Sequence, residues 1–192
     1  MNRNHGFALL EVMFALLCLA GTTVVVVRTM NASTKSAAVS SLRHDLTAGV
    51  ERNLESIRAD FEYGAISTLA TEVDDAPVPI VDGVTYSNIQ CSAVTNVTDA
   101  GVEYGPPINY GFELAPRELP DGKDNDGDGI IDDGMLVRTD DRGRQILRTG
   151  VTKLDFVKNA DEVSCTITLA RSRPGGAVMT RTERIVFKIV NN

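Results

Sequence analysis

Carboxylates are concentrated in one acidic run of this 192-residue chain, DGKDNDGDGIIDDG at residues 121–134. Asp124, Asp126 and Asp128 stand at positions one, three and five of an Asp-rich calcium loop, and a glycine follows at the turn position six. Hard carboxylate oxygens at this spacing suit Ca²⁺. The predicted ligands of one structural Ca²⁺ in a loop at 121–135 are Asp124, Asp126, Asp128, the backbone oxygen of Ile130, Asp132 and Asp133, with Asp121 as a further candidate.

The run differs from an EF-hand at position twelve, which is Met135 where an EF-hand has a bidentate Glu. It is closer to the shorter DxDxDG repeats of extracellular proteins. Between residues 121 and 141, eight Asp against Lys123 and Arg138 give a net charge of −6, compared with −7 for the whole chain. Such crowding requires a counter-charge, which a bound cation supplies. A solvated acidic turn without metal is the alternative.

The three cysteines lie in two different environments. Cys18 falls in an apolar run near the N-terminus, whereas Cys91 and Cys165 lie far apart in the polar part of the chain. We predict one disulfide between Cys91 and Cys165, formed in an oxidising compartment.

No catalytic constellation is evident in the sequence. The two histidines, His5 and His44, have no plausible nucleophile near them, and the sequence has no phosphate loop and no CxxC. We therefore expect that the protein is not an enzyme and has no small-molecule substrate.

An apolar segment, Phe7 to Val27, contains one charged residue, Glu11, and no proline. Its length as a helix, about 32 Å at about 1.5 Å per residue, matches the hydrocarbon core of a bilayer. A transmembrane helix is the prediction, and a cleaved secretory signal is the alternative. An unpaired Glu in such a segment costs about 2.5 kcal/mol or more. A cut after Gly6 would create an amine four residues from Glu11, or on a neighbouring subunit, and so supply the missing cation.

The stretch G-FALLEVMFALL resembles the class III signal sequence of type IV prepilins and type II secretion pseudopilins, with Ala8 where Thr or Ser is frequent. The resemblance implies that residues 1–6 are a leader removed after Gly6 by prepilin peptidase. It also implies N-methylation of Phe7 and a role of Glu11 in subunit assembly. The implied partners are prepilin peptidase, other pilin or pseudopilin subunits, and the membrane.

The helix is predicted to continue through residues 28–61, because apolar residues recur there at intervals of three or four. These residues are Val39, Leu42, Leu46, Val50, Leu54, Ile57 and Phe61. Two helices joined near NASTKS are the alternative.

Beyond the helix, residues 62–192 read as a globular, β-rich domain. Short β-prone runs alternate with turn signals such as Asp82-Gly83 and Asp140 to Gly143, and the chain closes on a hairpin. The predicted fold is therefore α+β and pilin-like, a long N-terminal helix packed on an antiparallel sheet.

The C-terminal half resembles the J-type minor pseudopilins and the W-type minor pilins. This implies a subunit of a type II secretion pseudopilus or a type IV pilus. It also implies a single-pass location in the bacterial inner membrane, with the head in the periplasm or on the cell surface. A membrane-anchored calcium-binding or sensory module that never assembles is one alternative.

A DNA-uptake minor pilin is the other alternative. The net charge of −7 argues against a nucleic acid partner. A small basic patch is nevertheless conceivable in the last hairpin, formed by Arg171, Arg173, Arg181 and Arg184.

Overall fold

The structure, a computed structural model, describes residues 5–73, 76–99, 101–173 and 176–189. It contains two compact units, residues 1–42 and residues 43–192. One α-helix, α1 (His5–Glu62), runs through both, so the continuous helix predicted from the sequence is confirmed and the NASTKS stretch is helical.

Threonine hydroxyls in the first part of α1 donate hydrogen bonds to the backbone of the same helix. The hydroxyls of Thr22 and Thr23 donate to the carbonyl oxygen of Leu19 at 2.9 and 2.8 Å, and Thr29 donates to Val26 at 2.8 Å. This bonding to the preceding turn suits a helix in apolar surroundings, where no water is present to satisfy a hydroxyl.

The second unit is built on one antiparallel sheet, and a single 3₁₀ turn, Ile66–Thr68, leads into it from α1. Within the described residues it has nine strands: β1 (Ala70–Val73), β2 (Ala76–Pro79), β3 (Thr85–Tyr86), β4 (Asn88–Thr98), β5 (Gly101–Leu114), β6 (Gly134–Asp140), β7 (Gly143–Asn159), β8 (Glu162–Ser172) and β9 (Val178–Lys188). The predicted α+β class is therefore confirmed.

The strands follow the order β2-β1-β4-β5-β6-β7-β8-β9. The long strand β7 pairs with β6 along its first half and with β8 along its second. The short strand β3 pairs with Phe156 and Val157 of β7. The predicted hairpin at Asp140 to Gly143 joins β6 to β7, with Gly143 at a φ of 109°, which favours glycine. From β4 to β9 the sheet is a meander of strands adjacent in sequence, whereas β1 pairs with both β2 and β4.

The core forms between the second half of α1 and one face of the sheet. The predicted apolar face of the helix is buried from Leu46 to Phe61, while Val39 and Leu42 are half-buried. The sheet contributes alternating residues, since side chains two apart point to the same face of a strand. Those of β8 are Val163, Cys165, Ile167 and Leu169, all buried.

A polar contact also joins α1 to the sheet. The hydroxyl of buried Tyr110 on β5 donates to Oδ2 of Asp60 at 2.6 Å, and Nε of Arg138 on β6 donates to the same oxygen at 2.9 Å. Arg138 also pairs with Asp140. Burial and the Asp60 carboxylate raise the pKa of Tyr110, which keeps its hydroxyl protonated as a donor. The helix end is thereby held against two strands.

The predicted disulfide is not formed, because Cys91 and Cys165 are both free, buried thiols. Cys91 lies on β4 and Cys165 on β8, with three strands between them in the sheet order. A disulfide needs Cα atoms about 4.4 to 6.8 Å apart. In the sheet, however, Cys91 lies opposite Ile108 of β5, and Cys165 lies opposite Phe156 of β7 and Ile185 of β9. The sequence separation of the two residues carried no information about this strand order.

Both buried thiols should resist modification in the folded protein. Burial, and then the Asp60 carboxylate, raises the pKa of Cys91 to about 12. Burial, and then Asp155, raises that of Cys165 to about 12. In a Cys18→Ser variant, we expect Ellman's reagent at pH 8 to label no thiol in the native protein and two after denaturation. A disulfide would instead leave no reactive thiol after denaturation without reductant.

Candidate metal centre and membrane segment

The acidic run lies in the connection between β5 and β6, residues 115–133, here called the acidic loop. Its base is closed by a hydrogen bond from the Ala115 N–H to the carbonyl oxygen of Asp133, at 3.1 Å. Gly134 follows where β6 begins, and a Cβ there would lie 2.3 Å from the carbonyl oxygen of Glu113. Only glycine therefore lets the end of the loop approach β5 this closely.

The three alternating aspartates fold the outer part of the loop. Their carboxylates lie within 4.8 Å of one another and all three residues are exposed. Asp124 accepts from the N–H groups of Gly127 and Gly129 at 2.7 and 2.9 Å, one on each oxygen. Asp126 and Asp128 each accept from the backbone N–H two residues further on. These are Asx turns, which form the predicted loop shape without an ion.

Asp121 and Asp132 take a different part in the loop. Both oxygens of Asp132 accept from the Gly122 N–H, at 3.1 and 3.0 Å, and one also accepts from the Asp121 N–H at 3.2 Å. Asp121 accepts from Lys123 and Asn125. Among the described residues, neither carboxylate belongs to a group of acids close enough to share an ion. Their predicted role as ligands stays a prediction, and the contacts they make are structural.

A second acidic group lies on the inner side of the loop and contains a residue that the sequence analysis did not include. Glu118, Asp126 and Asp133 have carboxylate oxygens within 4.8 Å of one another. Glu118 is 5% exposed and Asp133 is 3% exposed.

Each buried carboxylate of the inner group has an oxygen without a hydrogen-bond partner. Oε1 of Glu118 accepts from the N–H groups of Asn125 and Asp126 at 2.9 Å each, while Oε2 has no partner. Oδ1 of Asp133 also has none. Buried polar atoms are almost always satisfied, so two orphaned acceptors beside a third carboxylate fit a cation. The residues present therefore fit a metal ion bound through oxygen.

The electrostatics of the inner group agree with this geometry. Burial, and then the charges of Asp128, Asp126 and Glu118, raises the pKa of Asp133 to about 6. The positive charge of Arg171 on β8 opposes this increase but is the smallest of these contributions. The protein's own cation thus compensates the inner carboxylates only in part.

Glu118 was missed because no local pattern marks it. It lies six residues before Asp124, outside the alternating aspartates, and joins them only because the chain turns back after β5. The predicted Ile130 lies at the inner edge of the loop, with a buried side chain and an N–H that donates to Asp128 at 2.8 Å.

The N-terminal part of α1 is long and apolar enough to cross a membrane, and its most apolar window is entirely unburied. Leu10, Phe14 and Leu17 are 65%, 67% and 73% exposed. Glu11 is exposed on this segment. Residues 1–4 of the predicted leader lie outside the described residues, and so do the surroundings of the predicted cleavage site at Gly6 and Phe7.

The arginines of the last two strands do not form an all-basic surface. Arg171 is partly buried and lies near the aspartates of the acidic loop. Arg181 pairs with Glu183 on the same strand. The acids beside these two arginines weaken the attraction of the region for phosphates.

Comparisons with protein-family profiles, with curated proteins and with solved structures found no significant match to this chain. The described residues nevertheless define a class of architecture. It is α+β and pilin-like, with a hydrophobic N-terminal helix whose second half packs on an antiparallel sheet.

The raised pKa of Asp133 predicts how stability changes with pH in the metal-free protein. In the folded state the pKa of Asp133 is about 6, whereas an aspartate in the unfolded chain has its ordinary pKa of 3.8. This residue therefore makes the free energy of unfolding fall as the pH rises from about 4 to 6. Asp133→Asn should remove that contribution, so the melting temperature of the variant minus that of the wild type should increase over this range. A difference that does not change with pH would contradict the prediction.

Proposed function

We propose that this protein is an assembly subunit, a minor pilin or pseudopilin, of a type IV pilus or a type II secretion pseudopilus. The observation that carries the proposal is the exposed apolar half of α1 on the same helix whose other half forms the core of a β-rich head. The exposed apolar side chains from Leu9 to Met30 form a patch larger than the surface of a soluble protein normally carries. Apolar patches of this size are sites of contact with lipid or with another protein. Lipid before assembly, and neighbouring helices after it, would cover them.

Glu11 supports assembly rather than simple anchoring. A carboxylate in an apolar segment needs a partner, and such residues are functional by default. Removal of the leader after Gly6 would expose the Phe7 amine four positions away, one helical turn from Glu11. When helices pack side by side, the amine of one subunit can neutralise Glu11 of another. A membrane-anchored module that never assembles has no use for this pairing.

The proposed location follows from the same features. The protein would be inserted once in the bacterial inner membrane, and prepilin peptidase would cleave and methylate its N-terminus. The head would lie in the periplasm, or on the cell surface once the filament extends. The resemblance of the C-terminal half to J-type and W-type subunits favours a minor subunit over a major one.

The leader motif makes a direct prediction about the mature protein. Mass spectrometry of protein from the native membrane should find a chain beginning with N-methyl-Phe at position 7. Glu11→Gln should be inserted and processed normally but excluded from the filament, because it cannot pair with a neighbour's amine. Assembly is measured by the amount of subunit in sheared filaments, or by cross-linking to other subunits.

Glu51→Gln is the matched control, because it changes an exposed carboxylate in the second half of the same helix. It should assemble as the wild type does. An intact leader in the mature protein would reject the assembly function in favour of the anchored module. Normal assembly of Glu11→Gln would reject the charge-pairing mechanism alone.

We also infer that the acidic loop binds one Ca²⁺ as a structural ion. The support is the pair of buried carboxylate oxygens without partners, at Glu118 and Asp133. A divalent ion would relieve the repulsion between acids that the fold brings together, and it would do so only in the folded state.

Calcium should therefore stabilise the folded protein. At a calcium concentration about a hundredfold above Kd, binding contributes about 2.7 kcal/mol. That corresponds to a rise in melting temperature of about 5 to 10 °C for a domain of this size. Magnesium should do much less, because it retains its water shell. Identical melting curves of the full chain in detergent, with chelator and with millimolar calcium, would refute calcium binding.

A further inference from the structure

The acidic loop presents two carboxylate groups that share Asp126. The outer group adds Asp124 and Asp128, which the calcium-loop spacing predicts, and the inner group adds Glu118 and Asp133. A single ion would be bound mainly by one of these two groups. Their hydrogen bonds and burial distinguish them.

The outer group is already satisfied without a metal. Both oxygens of Asp124 accept backbone N–H bonds, and Asp126 and Asp128 each accept one. All three residues are exposed, so water can solvate their remaining oxygens. An ion bound only there would gain little, because it would compete with water for carboxylates that carry a small desolvation cost.

The inner group has no such compensation. Oε2 of Glu118 and Oδ1 of Asp133 are buried and lack hydrogen-bond partners, and their carboxylates lie within 4.8 Å of each other and of Asp126. Two buried carboxylates at this separation repel each other strongly, and each loses its solvation. A divalent cation removes both penalties at once.

Glu118 is also held in place for ligation. Its Oε1 is fixed by two backbone N–H groups, of Asn125 and Asp126, at 2.9 Å each. These bonds orient the carboxylate and leave Oε2 as its buried oxygen without a partner. Bonding of one oxygen to the surrounding backbone is the kind of outer-shell contact that orients a metal ligand.

We propose that the Ca²⁺ of the acidic loop is held chiefly by Glu118, Asp126 and Asp133, with Glu118 supplied from outside the Asp-rich run. The assignment rests on the proposed calcium binding and adds to it the identity of the ligands. Bound in this way, the ion would link the turn that follows β5 to the residue that precedes β6. The outer aspartates Asp124 and Asp128 then shape the loop.

The test compares calcium affinity of full-length variants in detergent by titration calorimetry. Glu118→Gln and Asp133→Asn should each weaken Ca²⁺ binding at least tenfold. Glu118→Asp keeps the charge but withdraws the carboxylate by one methylene, so it should also lose affinity if Glu118 is a ligand. Glu113→Gln removes an exposed charge just before the loop, and Asp141→Asn removes one at the far end of β6. Both variants should stay within about twofold of the wild type, as expected for screened surface charges.

A second measurement covers variants whose folding is impaired. Terbium emission lifetimes in H₂O and D₂O report the number of water molecules on the bound ion. Loss of the Glu118 ligand should add one water, whereas loss of a remote charge should add none.

The outcomes separate this assignment from the calcium proposal itself. If the wild type binds calcium and Glu118→Gln and Asp133→Asn bind it within twofold with unchanged hydration, the ligand set is wrong and calcium binding stands. If the wild type binds neither calcium nor terbium, calcium binding fails, and the ligand assignment fails with it.

Discussion

The burial of one apolar face of α1 against the sheet is the constraint on which the head depends. A helix needs an apolar stripe to pack, and an antiparallel sheet with one apolar face needs a cover. Here the second half of α1 packs on the sheet with five side chains that are fully or nearly buried: Leu46, Val50, Leu54, Ile57 and Phe61. At about 1.5 to 3 kcal/mol for each buried side chain, their removal from water is a large term compared with the net stability of a domain. The compact unit accordingly begins within the helix, at Arg43, rather than after it.

The two halves of α1 meet different requirements with the same backbone. The second half has a partner within the chain, and Asp60 reinforces it by accepting hydrogen bonds from Tyr110 and Arg138. The first half has none among the described residues, and its apolar side chains are exposed all round the helix. A helix that is apolar on every side requires an apolar environment. This difference is the basis for proposing a membrane location and an assembly function for the first half, while the second half stabilises the head.

The acidic loop shows how a strained electrostatic arrangement can be tolerated. Its aspartates form backbone turns on the outside, while Glu118 and Asp133 are withdrawn from water on the inside. The close approach at Gly134 and the Ala115 to Asp133 hydrogen bond fix the two ends of the loop, so the buried acids cannot move apart freely. A structural ion would neutralise this repulsion and link the two ends of the loop, which adjoin the neighbouring strands β5 and β6.

Much of this protein was predictable from local patterns. Helical periodicity predicted α1 and its buried face, short β-prone runs between turn signals predicted a β-rich domain, and the spacing of Asp124, Asp126 and Asp128 predicted the loop. These features depend on residues close together in sequence, whose geometry the backbone sets directly. The strand order was different: it placed three strands between Cys91 and Cys165 and left both thiols free. The inner acid group likewise required the fold, because Glu118 and Asp133 meet only when the chain turns back after β5, and burial is a property of the packed structure.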